Sequence, residues 1–382
     1  MGRWIKDLMN VLLVLFSIAF GLLGIEFLTR VLDQVSPKPA RSWRESRLAL
    51  PLPYKKSPFS VEKLIAEAEQ ITWKTDRDYG YRPDNFSGEL INIENGIRRT
   101  INNPSVAERR MWIFGGSTII CLEVPDAYTI PSQLSALVNA QSENQFEVIN
   151  SGASTITSRH QLFKLKNSTT LKKNDIVVFM DGWNDIAQSL YYNNPMGNMI
   201  EKNRQQIETA SFSEKLILEL YVKYGESSAF IRRFLNPFRP EEKEITITEN
   251  NLQVFEKDYL ETMIHTHEYV KSKGAKYFHF LQPSVSTLKQ PTTYEKILID
   301  KLEQGYLIPK PLIKISHQAY PRLQNASQDA RKMGINAFDI TDAFDHKTTD
   351  VYLDAVHVNE VGNRILAEGI WARVEAELDR AK

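Results

Sequence analysis

The sequence has a single cysteine, Cys121, in 382 residues. That excludes an internal disulfide framework and any multi-thiolate metal site. It has no surplus charge either: 47 Lys and Arg stand against 47 Asp and Glu, with no basic block. Binding a phosphate backbone needs a concentrated positive face, so this balance argues against nucleic acid as the main partner. The seven histidines do not gather. His265 and His267 are the nearest thing to a metal pair, but residues two apart on a helix point in different directions, and no further ligand accompanies them. They read as solvated helix histidines, and neither a metal nor a cofactor is expected. Repeats and low-complexity segments are also lacking.

What is present begins at the N-terminus. From Leu8 to Leu28 only Asn10, Ser17 and Glu26 interrupt an apolar run, close to the roughly 20 residues that a helix needs to cross the hydrocarbon core. Nothing amphipathic patterns it as a soluble helix. No small-x-small cleavage site follows, since Gly24-Ile25-Glu26-Phe27-Leu28-Thr29-Arg30 is too bulky. We therefore expect a stub at 1–6 and an uncleaved single-pass anchor at 7–29. Arg3 and Lys6 precede the run, whereas Arg30, Lys38, Arg41 and Arg44 follow it. Counted literally, these charges hold the large domain in the cytoplasm. A short N-terminal stub that stays inside places that domain on the extracytoplasmic side instead, periplasmic or at the cell surface, and this is the expectation carried forward.

Residues 30–108 read as a stalk and lead-in. Ser36-Pro37-Lys38-Pro39 and Leu50-Pro51-Leu52-Pro53 mark the stalk. Turn residues around Tyr79-Gly80-Tyr81-Arg82-Pro83-Asp84 and Asn95-Gly96-Ile97-Arg98-Arg99 separate short extended pieces of a small β-containing lead-in.

From residue 109 strands and helices alternate. Extended runs are expected at 111–114, 146–150, 175–180, 277–281 and 337–340, with helices near 129–140, 158–171, 311–333 and 360–378. An amphipathic helix passes through Phe255, Tyr259, Met263 and Val270. Asp175-Ile176-Val177-Val178-Phe179-Met180 is unbroken apolar, suited to a strand covered on both faces. The interval 187–250, with Leu190-Tyr191-Tyr192 and Leu220-Tyr221, interrupts the alternation and is expected to form a helical cap. Repeated β–α units imply an α/β fold with a central parallel sheet of about five strands and helices on both faces. Ligands of such sheets bind beyond the carboxyl ends of the strands. Ser117, Gly152 and Gly182 closely follow expected strands and should converge there.

Four segments carry chemistry: Gly116-Ser117, Ser151-Gly152, Asp181-Gly182-Trp183-Asn184-Asp185 and Asp354-x-x-His357. Each has an ordinary reading alone. Ser117 suits a helix N-cap, Asp354 a cap for the last helix, Gly152 and Gly182 turns, and Asn184 and Asp185 turns or caps. Trp183 suits packing on the sheet, and Cys121 a small buried apolar position. Taken together the residues suit acyl transfer. A serine hydroxyl needs a base, a histidine base needs an orienting group, and a tetrahedral oxyanion needs preorganised donors. Gly152 has no Cβ to obstruct its N–H, and the Asn184 amide is a donor that does not titrate.

The order and identity of these segments resemble the SGNH (GDSL-like) hydrolase superfamily, membrane-anchored bacterial type, over residues 111–382. Gly-x-Asn-Asp and Asp-x-x-His match its motifs, whereas Gly-Gly-Ser-Thr departs from Gly-Asp-Ser-Leu in the way common among anchored members. The resemblance implies a flavodoxin-like three-layer sandwich over 109–382. It makes Ser117 the nucleophile, His357 its base and Asp354 the orienting carboxylate, with an oxyanion hole from the N–H groups of Ser117 and Gly152 and the amide of Asn184. It further implies a serine esterase acting on an acyl ester, acetyl foremost, of a small molecule or an envelope or exported carbohydrate. The same residues would serve an O-acyltransferase with a sugar hydroxyl as acceptor. A non-catalytic assembly or binding component is the third reading.

Overall fold

The apolar N-terminal run is helical throughout. Helix α1 spans Gly2–Val35, and its Asp7–Leu32 stretch has a mean hydropathy of 2.5, long and apolar enough to cross a membrane. Its large apolar side chains, such as Leu13, Phe16, Phe20 and Phe27, are exposed. The computed structural model describes residues 2–35, 58–76, 80–141, 146–192, 210–224, 228–235, 246–305 and 307–380. Most of the expected stalk, 36–57, lies outside the described residues.

Helix α2 (Val61–Gln70) follows, where only stalk and extended chain were expected. Its signals are nonetheless local: Ser60 accepts from the Lys63 N–H as N-cap, and Leu64, Ile65 and Ala68 recur at helical spacing and are buried. Strands β1 (Trp73–Asp76) and β2 (Gly80–Pro83) pair antiparallel. The short strands β3 (Phe86–Ser87), β4 (Asn92–Glu94) and β5 (Ile97–Arg98) then form an antiparallel meander.

Parallel strands β6 (Arg109–Gly115), β7 (Phe146–Asn150), β8 (Ile176–Asp181), β9 (Lys276–Leu281) and β10 (Asn336–Asp339) make the central sheet. Its order is β10-β9-β8-β6-β7-β5-β4-β3. The lead-in therefore does not merely pack on the domain; it extends the same sheet, with β5 joining β7 at the Arg98–Asn150 pair. Central strand β8 is buried at all six residues. Since alternate side chains face opposite ways, helices cover both faces. The parallel strands in spatial order β7-β6-β8-β9-β10 follow the flavodoxin-like arrangement 2-1-3-4-5, whose ligand crevice lies between the first and third strands. Here those strands are β6 and β8.

The connecting helices are α3 (Ser117–Ile120), α4 (Ile130–Gln141), α5 (Ser158–Ser168) and α6 (Trp183–Ile186), the last running into a π-helical turn at Ala187–Tyr191. Helices α7 (Phe212–Tyr224) and α8 (Ala229–Phe234) fall within the interval expected to be a cap; residues 193–209, 225–227 and 236–245 of that interval lie outside the described residues. After them come α9 (Glu249–Ser272), α10 (Thr293–Glu303), α11 (Pro311–Lys332) and α12 (Glu360–Asp379). Helix α4 packs on β7 and α12, while α9 packs on β9, α5 and α11. The chain divides into two compact units. Met1–Ser42 with Asn203–Lys243 form one, containing α1, α7 and α8, and Trp43–Lys202 with Glu244–Lys382 form the other.

The larger unit hinges on how α3 is held. Four residues cannot sustain a helix alone, and their terminal carbonyls need outside donors. Arg98, fully buried on β5, supplies one at the end of α3 and two more to the loop that follows it. Its Nη1 donates to the Ile120 carbonyl at 2.8 Å and to that of Cys121, its Nη2 to that of Val124 at 2.6 Å, and its Nε to Asp126 Oδ1 at 2.9 Å. Asn150, its partner across the β5–β7 pair, donates to the Ile119 carbonyl at 2.9 Å. Asp126 also receives the backbone N–H and side-chain amide of Asn92. Truncating one member of a buried ion pair leaves the other charge uncompensated, which costs about 3–5 kcal/mol. Arg98→Ala is therefore expected to lower the unfolding free energy by about that amount in urea denaturation; a loss under about 1 kcal/mol, the scale of an exposed pair, would show that this guanidinium holds nothing together.

Candidate active site

Ser117 is the first residue of α3, immediately beyond β6, and Gly116 is the N-cap in extended conformation. The Ser117 N–H, at the helix start, has no intrahelical acceptor. Asn184 sits in α6 just beyond β8. These two strand ends flank the crevice between β6 and β8, and the structure brings them into close approach: a Cβ built on Gly116 would lie 2.4 Å from Asn184 Nδ2. Glycine at 116 is thus what lets the Asn184 amide reach the backbone beside Ser117. One of the two Nδ2 protons is fixed by the Ile156 carbonyl at 3.0 Å, which orients the amide and leaves its second proton to point elsewhere.

Gly152 lies just past β7 and presses on α3. A Cβ there would come 2.3 Å from the Ile120 nitrogen. Its N–H, expected in the oxyanion hole, donates to Asn150 Oδ1 at 3.1 Å within its own turn. Asn150 therefore holds both the end of α3 and the Gly152 loop. Lys164 braces the same loop, donating to the Ser151 carbonyl at 3.0 Å. Burial pushes its ammonium down to about 8, and the Arg82 charge adds to the shift.

Asp354 and His357 are in direct contact. Nδ1 of the imidazole is 2.7 Å from Asp354 Oδ2 and 3.0 Å from Oδ1. Asp354 Oδ1 also accepts the backbone N–H groups of Val356 and His357, at 2.9 and 2.8 Å. The carboxylate thus fixes both the loop and the ring, and places the proton of a neutral imidazole on Nδ1. The helix that follows is capped by Asn359, whose side chain accepts from the Gly362 N–H, so Asp354 is not its cap.

Two contacts bring this loop and the helix after it to the segment after Ser117. Asn363 Nδ2 donates to Cys121 Sγ at 3.4 Å, and His357 Nε2 lies 3.7 Å from Glu123 Oε1. Glu123, almost wholly buried, escaped the sequence reading. A glutamate six residues past a serine carries no motif, and only the fold places it beside the imidazole. It puts a second carboxylate near a ring that gains positive charge whenever Nε2 is protonated.

Beneath the β8 end lies a buried polar network. Tyr259 Oη donates to Asp181 Oδ1 at 2.5 Å, and His279 Nε2 is 2.9 Å from the same oxygen. Asp185, expected only to cap the turn, instead reaches across to α5. It accepts the Ser158 hydroxyl at 2.6 Å and the Ser158 N–H at 3.1 Å. Burial, and then the charge of Asp181, holds the Asp185 carboxyl well above the usual carboxylate range. Trp183 is buried in the core beside them. His265 and His267 lie on α9. Among the described residues no group of three or more His, Cys, Asp or Glu is arranged to hold a metal ion.

No protein-family model matches the chain, and no curated protein matches it. Among solved structures it is similar to LAE5, an α/β hydrolase enzyme from the metagenome of Lake Arreo, Spain, with 13% identity and a TM-score of 0.40 over 70% of this chain and 95% of that one. A member of the lipolytic protein G-D-S-L family from Veillonella parvula gives 14% and 0.37 over 68% and 94%. Axe2, an acetylxylan esterase from Geobacillus stearothermophilus, gives 15% and 0.41 over 70% and 94%.

Two outcomes are expected of these environments. The raised Asp185 carboxyl means that the folded state holds a proton that the unfolded state has lost, from about pH 4 upward, so stability falls as pH rises toward the folded value. Asp185→Asn keeps an oxygen for Ser158 but does not ionise, and its urea midpoint should fall less between pH 5 and 8 than that of the parent protein; equal slopes would assign the titration elsewhere. Burial pushes the Cys121 thiol up to about 12, with the Glu123 charge adding to the shift. The native protein should therefore resist iodoacetamide at pH 8 and react once unfolded, and rapid native alkylation would contradict this burial.

Proposed function

We propose that the protein is a serine esterase of the SGNH type, forming an acyl–Ser117 intermediate. The observation that carries this reading is the Asp354–His357 pair, 2.7 Å apart through Nδ1, on a loop held against the segment that follows Ser117. With Nδ1 protonated, Nε2 is the basic nitrogen. It takes the Ser117 hydroxyl proton as Oγ attacks the ester carbonyl, and Asp354 steadies the imidazolium that results. Glu123 adds to that stabilisation from the Nε2 side. The Ser117 N–H and the second Nδ2 proton of Asn184 receive the developing oxyanion, and Gly152 joins them by sharing its N–H with Asn150. His357 then protonates the leaving alcohol. Water, activated by the same nitrogen, releases the acid and restores Ser117.

The acyl group we assign is acetyl, carried on an envelope or exported carbohydrate. The motif resemblance supports this substrate class, and a single-pass anchor at α1 with the larger unit on the extracytoplasmic side accords with it. Comparing free acetate release with transfer to added oligosaccharides separates hydrolysis from acyl transfer.

Ser117→Ala and His357→Ala are each expected to abolish nearly all hydrolysis of a small aryl acetate with an unchanged circular dichroism spectrum. Parent-like turnover in either variant overturns the mechanism. Asn184→Ala is expected to lower kcat about 10²–10³-fold, the cost of one oxyanion donor; an unchanged kcat removes it from the site.

A further inference from the structure

Within the smaller unit, the apolar helix α1 carries one acidic side chain whose partners lie some two hundred residues away. Glu26 accepts hydrogen bonds from the Ser228 hydroxyl at 2.8 Å and from the backbone N–H groups of Ala229 at 2.9 Å and Phe230 at 3.1 Å. These are the first donors of α8, which have no acceptor inside that helix. Ser228 is itself the N-cap, accepting from the Ile231 N–H at 3.2 Å. A carboxylate at a helix N-terminus is favoured by both the orphan donors and the helix dipole. One turn along α1, Thr29 is buried at 2% exposure amid neighbours that are exposed. The polar flank of α1 is therefore a docking face, and α8 occupies it. A leader peptide destined for removal has no reason to be built into the cap of a distant helix, so this contact fits a retained anchor.

The depth of that contact matters. Glu26 lies six residues before the end of the Asp7–Leu32 apolar stretch, about 9 Å at 1.5 Å per residue. A hydrocarbon core about 30 Å thick occupies roughly 20 residues of helix, which leaves Glu26 and its ion-pair partner Arg30 (Nε to Oε1, 2.8 Å) near the boundary with the headgroups. An acidic group at that depth is tolerated where donors satisfy it.

Helix α8, docked there, and α7, which packs on α8, expose apolar surface. On α7, Phe212 is 87% exposed, and Leu216, Ile217 and Tyr224 are exposed as well, as is Phe234 on α8. Positions 212, 216 and 224 are spaced in multiples of four and lie along one ridge that turns through about 120° round the helix; Glu214 is on another face, while Lys215 and Glu219 border the ridge at its Phe212 edge. Leu218, on the opposite side, is buried. Three of the five exposed residues are aromatic, the kind enriched at bilayer interfaces. We propose that α7 and α8 are a second membrane-contacting element, docked on α1 through Glu26 and laid with the Phe212–Leu216–Tyr224 stripe in the headgroup boundary of the bilayer that α1 spans. This rests on α1 being a retained anchor. Lipid is the occupant because α8, on which α7 packs, is hydrogen-bonded to a membrane helix at the level where that helix leaves the hydrocarbon.

The test uses full-length protein in vesicles of phosphatidylethanolamine and phosphatidylglycerol. Single cysteines carrying an environment-sensitive fluorophore are placed by Phe212→Cys, Leu216→Cys, Glu214→Cys and, in the anchor, Ser17→Cys; buried Cys121 does not compete for label. Blue-shifted emission at 212 and 216, quenched several-fold more by shallow nitroxide lipids than at 214, is the expected result. If 212 and 216 match 214 while 17 is quenched by deep nitroxides, the anchor reading stands and this inference falls. If 17 is also water-like, both fall. Blue-shifted emission at 212 and 216 without lipid quenching would mean a protein contact and overturn the proposal. Glu26→Ala should move a Phe234→Cys label to water-like emission while 17 stays quenched; no change at 234 would overturn docking through Glu26.

Discussion

One guanidinium decides whether the site exists. Helix α3 is four residues long, too short to persist without external partners, and the side chains that close its C-terminal end come from outside its own β–α unit. Arg98 on β5 and Asn150 on β7 meet across a single strand pair and between them satisfy the carbonyls of Ile119, Ile120, Cys121 and Val124. The short meander before the parallel sheet is therefore part of what holds the candidate site in place. Its small core of Leu64, Ala68, Ile71, Ile91 and Ile93 also takes Leu122, from the loop that Arg98 clamps. Glu67 braces the meander from α2, its carboxylate receiving the N–H groups of Glu89, Leu90 and Ile91, each at 2.9 Å.

From that anchorage the rest of the site follows by topology. In a 2-1-3-4-5 sheet the chain leaves β6 toward one edge and returns to β8 on the other side, opening a crevice between the two. Ser117 and Asn184 are the residues at its lips. The buried network of Asp181, Tyr259 and His279, with Asp185 bonded to Ser158, ties the β8 lip to α9, β9 and α5. The position of Asn184 is thus set by groups that never reach the crevice.

Much of this was legible in the sequence because it is encoded locally. The all-apolar stretch through Ile176–Met180 marks a strand covered on both faces, and strand-end motifs mark the crevice. What stayed illegible depends on contacts between distant residues. Glu123, Asp185 and Glu26 are ordinary acids until folding sets them beside His357, Ser158 and Ser228. Arg98 was visible only as part of a turn-rich Gly-Ile-Arg-Arg stretch, since nothing in a sequence says which carbonyls an arginine will find. Helix α2 was overlooked although Ser60 and the spacing of Leu64, Ile65 and Ala68 announce it, because the surrounding proline-rich and turn-rich composition dominated the reading. Pro321 sits inside α11 without ending it, a case of tertiary packing outweighing a local breaker.

The Asp354–His357 loop also has a meaning in time. Arg98 and all its acceptors fall between residues 98 and 126, so every member of this hub has been synthesised while most of the chain has not. His357 arrives near the very end, together with the helix whose Asn363 reaches back to Cys121. The residues that hold α3 are thus made long before the base proposed for Ser117. A chain halted before residue 354 would carry the residues that hold α3 and lack the imidazole proposed to activate Ser117.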